Sequence, residues 1–174
     1  MHTSLNGASF RKVIRHALAA FVGMTFLVLW FALIPARLIK LNQKWGWPSL
    51  NNPVYEIGGL LLMLAAVIVC VHCGVLFGQL GKGTPVPGNP PEHLVARGLY
   101  RFSRNPIYLA YTGLLIGEFL FFGHVILLLY AVVTFLGLHA AIVLIEEPIL
   151  HRRFGEEYLK FSRCVPRWIS LKRR

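Results

Sequence analysis

A chain of 174 residues has room for one domain. Of its residues 56% are hydrophobic and only 14% are charged, with a mean hydropathy of +0.59; soluble domains are ~45–50% apolar, so a water-soluble globule is excluded. The formal net charge of +11 reads, in so apolar a chain, as basic flanks that set membrane orientation rather than as a nucleic-acid surface.

Four stretches are nearly free of charge: residues 17–34, 57–77, 106–122 and 125–145. A helix needs roughly 20 apolar residues to cross a bilayer, with ~17 tolerated. The pattern therefore predicts an all-α polytopic membrane protein with about four transmembrane helices, the third of them short. The first stretch follows Arg11, Lys12 and Arg15, as a signal peptide would. It is long for that role, and Ile34-Pro35-Ala36-Arg37 offers no small-x-small cleavage site, so it reads as a retained helix. Next comes a loop with Arg37, Lys40, Lys44, Trp45 and Trp47, the indoles suited to a membrane interface.

The second stretch holds Cys70, His72 and Cys73. Cys70-Val71-His72-Cys73 resembles half a zinc site, but no second pair completes it, so no metal is expected. The third cysteine, Cys164, makes the count odd, which argues against a disulfide framework. Residues 78–105 are rich in Gly and Pro and cannot form a long helix. A segment of that length with Leu94, Val95, Leu99, Tyr100 and Phe102 reads as functional rather than idle.

Spans three and four are separated only by Gly123-His124. Gly123 suits a left-handed cap, so the two helices form a tight antiparallel hairpin. Their far ends, Arg104-Asn105-Pro106 and Glu146-Glu147-Pro148, must then lie side by side. Inside the hairpin, Glu118 reads as a helix–helix hydrogen bond or a carboxylate reaching for the interface. His139 stands seven residues before Glu146 and so points toward it. Residues 149–165 carry Leu150, Phe154, Tyr158 and Phe161 on one face and Arg152, Arg153, Lys160 and Arg163 on the other, an amphipathic surface helix ended by Pro166. Four spans divide the eighteen Lys and Arg residues fifteen to three, which places both termini in the cytoplasm.

Where the polar ends of the hairpin meet, Arg104 offers a donor fork for a carboxylate or phosphate. Glu146 and Glu147 offer acceptors for an ammonium, a sulfonium or ribose hydroxyls. Tyr100, Tyr108 and Leu94 could flank a flat base. S-adenosylmethionine matches this set, and a lipid headgroup fits its Arg and Glu members. No Rossmann, Walker or HExxH motif is present.

The run Leu94-Val95-Ala96-Arg97-Gly98-Leu99-Tyr100-Arg101-Phe102-Ser103-Arg104-Asn105-Pro106-Ile107-Tyr108, then Glu146-Glu147, Phe154-Gly155-Glu156-Glu157-Tyr158 and Val165-Pro166-Arg167-Trp168, resembles the isoprenylcysteine carboxyl methyltransferase and phospholipid methyltransferase group. That group carries Arg-His-Pro-x-Tyr-x-Gly, a hairpin, Glu-Glu and Phe-Gly-x-x-Tyr. The resemblance implies an S-adenosylmethionine-dependent methyltransferase whose lipid or lipophilic acceptor enters from the membrane, by carboxylate O-methylation or lipid amine N-methylation. It implies a cofactor site of Leu94, Val95, Gly98, Tyr100, Arg104, Asn105, Pro106, Tyr108, Glu146 and Glu147. Glu146, Glu147 and His139 are the candidate catalytic groups. It also implies one methyltransferase domain over residues 1–174: two N-terminal spans (1–77), a cofactor-binding half (78–168) and a basic tail (169–174). The expected location is a bacterial inner membrane. Asn105 stands where the group has His and cannot titrate near neutrality; Ala110 replaces its Gly. A related membrane reductase using NADPH, or a non-catalytic membrane protein, are the alternatives.

Overall fold

The computed structural model describes residues 21, 23–76, 79–80 and 93–169. The basic N-terminal tail, Lys82 with its flanking glycines, and residues 170–174 lie outside them, so the fifteen-to-three charge division is an expectation only. Among the described residues every regular element longer than one bridge is helical. Helix α1 runs Gly23–Trp45, α2 Pro53–Leu76, α3 Pro106–Phe122 and α4 Val125–Ala141; α5, Glu147–Cys164, continues α4 without a loop. By length and composition α1, α2 and the joined α4–α5 helix can cross a membrane, and α3 is a shorter apolar helix. The architecture is that of an all-α polytopic membrane protein.

Two expectations are corrected. The first span does not end at Ile34: the helix continues through Pro35 to Trp45, so Arg37, Lys40 and Lys44 ride on helix rather than loop. Nor does the helix end with the fourth apolar run at Ile145: it continues through the Glu pair to a kink at Gly155 (φ 50°, ψ −125°), beyond which a second helical piece runs to Cys164. Both continuations use one device. A proline ring clashes with the carbonyl four residues back and supplies no N–H. Ahead of Pro35 the helix widens into a π segment, Leu29–Leu33, and ahead of Pro148 into another, Ile142–Glu146. In the first, the Ile34 N–H bonds Leu29 O instead of Trp30 O, and Pro35 has none to offer. The Trp30 carbonyl is instead satisfied by the Tyr130 hydroxyl at 3.0 Å, which ties α1 to α4.

Helices α2 and α3 make the most extensive contact in the molecule. Their seam is built from small residues, which let backbones approach where no hydrophobic effect drives helices together. A side chain on Gly59 would meet Gly117 O at 2.6 Å, and one on Gly117 would meet Gly59 O at 2.9 Å. At the turn end, Gly123 caps α3 with φ 70° as expected, and its carbonyl accepts the Leu50 N–H at 2.8 Å. Asn42, 1% exposed, reaches from α1 to the same turn. Its Oδ1 accepts the Ile126 N–H at 3.2 Å, Nδ2 donates to Trp47 O at 3.0 Å, and Nδ2 lies 3.1 Å from His124 Nδ1. It thereby caps the start of α4 from another helix. Trp45 and Trp47, rings 5.1 Å apart, sit exposed beside it.

Glu118 does not reach the surface. It is 6% exposed and its Oε2 has no hydrogen-bond partner among the described residues.

Substituting Gly117→Val should force α2 and α3 apart and cost ~1–3 kcal/mol or more, since overpacking against backbone cannot relax. Asn42→Ala leaves buried donors and acceptors unpaired and should cost ~1–3 kcal/mol. Thermal unfolding in detergent checks both; an unchanged midpoint in either variant contradicts the corresponding contact.

Candidate functional site

The site lies at the open end of the α3–α4 hairpin. Asn105 precedes a proline and so stays out of the helical region, at φ −130°. Pro106 then occupies the first helical position of α3, where a missing N–H is harmless. Residues 103–105 therefore run just ahead of α3. They meet the segment that leaves α5, where Val165 turns extended at φ −117°, ψ 126°. The Arg104 N–H donates to Pro166 O at 3.0 Å. Ser103 Oγ donates to Arg167 O at 3.2 Å, and Asn105 Nδ2 to the same carbonyl at 3.0 Å. The Asn105 N–H closes back on Ser103 Oγ at 3.0 Å.

The charged side chains converge on this clasp. Arg104 Nη1 lies 3.1 Å from Glu147 Oε1 and donates to the Tyr158 hydroxyl at 3.1 Å. Arg167 donates twice to Glu147, Nε to Oε1 at 2.8 Å and Nη2 to Oε2 at 2.9 Å. Glu146, one residue earlier, accepts from the Tyr108 hydroxyl at 2.7 Å. The hairpin thus brings Arg104, Tyr108, Glu146 and Glu147 together, as the short turn requires. Asn105 is turned to the Arg167 carbonyl instead, a structural bond that a neutral amide makes at any pH. Glu147 lies beyond the apolar run that ends at Ile145. Its carboxyl is held below the usual range, chiefly by the Arg167 hydrogen bonds; partial burial opposes this and the charges of Arg104 and Arg167 reinforce it.

The other expected site residues divide. Val95 and Tyr100 are buried in a core with Cys73 and Ile107, and Leu94 beside them is half-buried. The ring of Tyr100, 5% exposed, is therefore a wall rather than an open stacking platform. Gly98, at φ +60°, lets the loop lie against α2, where a side chain would strike Leu76. His139 is displaced from its expected alignment with Glu146. A π turn takes about one residue more than an α turn, so His139 aligns with the eighth residue on, Glu147. Its ring stacks on Trp168 at 5.8 Å, and Phe135, one turn earlier on the same helix, packs against the indole beside it at 4.9 Å.

Sequence reasoning missed Ser103, Tyr158, Arg167 and Trp168 as site residues. All four stand in the motif runs, but their partners lie on elements joined only by folding. An orphan donor completes the geometry: Arg104 Nε is buried with no partner among the described residues. No cluster of His, Cys, Asp or Glu among those residues could hold a metal ion.

Because the Glu147 carboxyl is depressed in the fold, it stabilises the protein above its ordinary value of 4.5, and that contribution is lost as pH falls through the lower folded value. Wild-type stability should therefore decline on acidification below about pH 4.5 more steeply than that of Glu147→Gln. Unfolding midpoints of both proteins across that range check this; parallel curves contradict it.

No curated protein and no solved structure matches this chain. The family model for phospholipid methyltransferases matches residues 54–157, more than half of the sequence and every element from α2 to the start of the amphipathic helix. The chain therefore belongs to the phospholipid methyltransferase family of membrane methyltransferases.

Proposed function

We propose that this protein transfers the methyl group of S-adenosylmethionine to a lipophilic acceptor drawn from the bilayer, at a site on the cytoplasmic face of a bacterial inner membrane. The observation that carries the reading is the buried Nε of Arg104, without a partner among the described residues, on an arginine that contacts Glu147, whose chain neighbour Glu146 still has lone pairs to give. A donor short of an anion beside an acceptor short of a cation suits the carboxylate and ammonium of the cofactor's amino-acid end.

The sulfonium supplies a methyl that is already activated for displacement. The chain's own residues then have to hold the reactants in line and exclude water. Arg104 binds the carboxylate, its guanidinium braced by Glu147 and Tyr158. Glu146 faces the positive end, its rotamer set by Tyr108. Val95, Tyr100 and Ile107 close the wall beside them. An anionic oxygen acceptor needs no base. An amine acceptor must lose a proton; Glu147 is saturated by two guanidinium groups, which leaves Glu146 Oε1 to receive it.

An apolar groove of about 310 Å³ between α2 and α3 supports an acceptor from the lipid phase. It is lined by Leu62, Ala66, Val69, Leu109 and Gly113 and reaches Ser103, the residue next to Arg104.

Calorimetry on detergent-purified protein tests the reading. S-adenosylmethionine should bind wild type. Arg104→Ala and Glu146→Ala should each weaken binding about ten- to a hundredfold, the effect of removing one charged hydrogen-bond partner, while Glu118→Gln should bind as wild type does. A wild-type protein that binds NADPH and not S-adenosylmethionine overturns it.

A further inference from the structure

We infer that Arg167 is a positioning residue for the cofactor site: by occupying both oxygens of Glu147 it keeps that carboxylate from chelating Arg104, and so leaves Arg104 Nε free for an anionic ligand group. The inference rests on the reading of the site given above and concerns a residue that touches neither reactant.

Guanidinium and carboxylate pair most strongly through two parallel N–H···O bonds. Arg104 and Glu147 are 3.1 Å apart, yet they share a single contact, through Nη1 and Oε1. The reason is visible on the other side of Glu147. Arg167 takes Oε1 through Nε at 2.8 Å and Oε2 through Nη2 at 2.9 Å, the shorter and bidentate pair. Glu147 is turned by that fork so that only one oxygen is left to graze Arg104. Tyr158 fills the remaining direction at Nη1 from α5. Arg104 is thus fixed at one end of its fork and has no partner at Nε among the described residues, although both it and Glu147 are well covered, at 13% and 19% side-chain exposure.

Arg167 can do this because its main chain is pinned independently. Its carbonyl accepts from Ser103 and Asn105, and the preceding Pro166 carbonyl accepts from Arg104 N–H. The Trp168 ring packs on the neighbouring rings of Phe135 and His139. These backbone and ring contacts survive replacement of the Arg167 side chain, so the role can be tested without dismantling the clasp.

The two adjacent carboxylates therefore have unequal tasks. Glu147 is a brace shared by two arginines. Glu146, with one hydrogen bond among the described residues, is the carboxylate open to the ligand.

S-adenosylmethionine binding to four detergent-purified proteins decides the matter: wild type, Arg167→Ala, Arg167→Lys, and Arg167→Ala combined with Glu147→Gln. Without the fork, the Glu147 carboxylate swings to chelate Arg104. Arg167→Ala should bind at least tenfold more weakly, and Arg167→Lys, which keeps the charge but loses the fork, should also bind more weakly. The double variant, whose neutral amide competes poorly for Arg104 Nε, should recover most of the loss. A purely structural Arg167 predicts the reverse, with the double variant no better than the single one, and that result overturns the inference. So does wild-type affinity in Arg167→Lys, which remains informative should Arg167→Ala fail to fold. Absence of binding by wild type would instead remove the functional reading on which the inference stands.

Discussion

The carboxylate of Glu147 is held by guanidinium groups from two distant parts of the chain. Arg104 arrives from the approach to α3 and Arg167 from the segment after α5; Arg167 takes both oxygens and Arg104 shares Oε1 with it. A charge at this depth is unfavourable unless its lone pairs are filled, and removing either partner would strand the rest. The consequences spread outward. The pairing closes over the extended 165–168 segment, which its own carbonyls hold alongside residues 103–105, and Tyr158 stands against Arg104. Without it the charged side chains at the open end of the hairpin would have no common anchor.

Proline determines how the carboxylates come to be there. Pro148 cannot follow an ordinary helical turn, and the π segment that precedes it keeps the helix continuous while rotating what lies on either side. Glu146 is delivered to Tyr108 and Glu147 to the arginines, whereas His139 is carried round to Trp168. The same device at Pro35 releases the Trp30 carbonyl, which Tyr130 takes up. In both places a residue that ought to break a helix redirects it, and at Pro35 the freed carbonyl finds a partner on a neighbour.

At the far end the requirement is different. Four helices must be joined by short connections, and every terminal N–H and C=O needs a partner. Asn42 meets much of that need from one side chain, capping α4, holding the Trp47 carbonyl and touching His124. Between the two ends the glycines at 59 and 117 bring α2 and α3 close enough to act as one wall. The turn end and the seam are rigid supports, and the open end carries the chemistry.

Much of this was legible in one dimension. Apolar runs of 17–21 residues can only be membrane helices, and a two-residue turn with Gly123 between two of them can only make a hairpin. Arg104, Tyr108, Glu146 and Glu147 had therefore to meet, and the structure joins them. Three features lay beyond pattern reading. The helices continue through Pro35 and Pro148 by way of π segments, and at Pro35 the carbonyl so freed depends on a donor from a neighbouring helix, the Tyr130 hydroxyl to Trp30 O. His139 changes direction as a result, since a fixed helical period assumes no inserted residue. Arg167 becomes part of the site through contacts that span 20 residues to Glu147 and 62 to Asn105. Chain spacing determined which residues share a helix face; only tertiary structure could decide which of two adjacent carboxylates is already taken, because that depends on an arginine brought back by the fold.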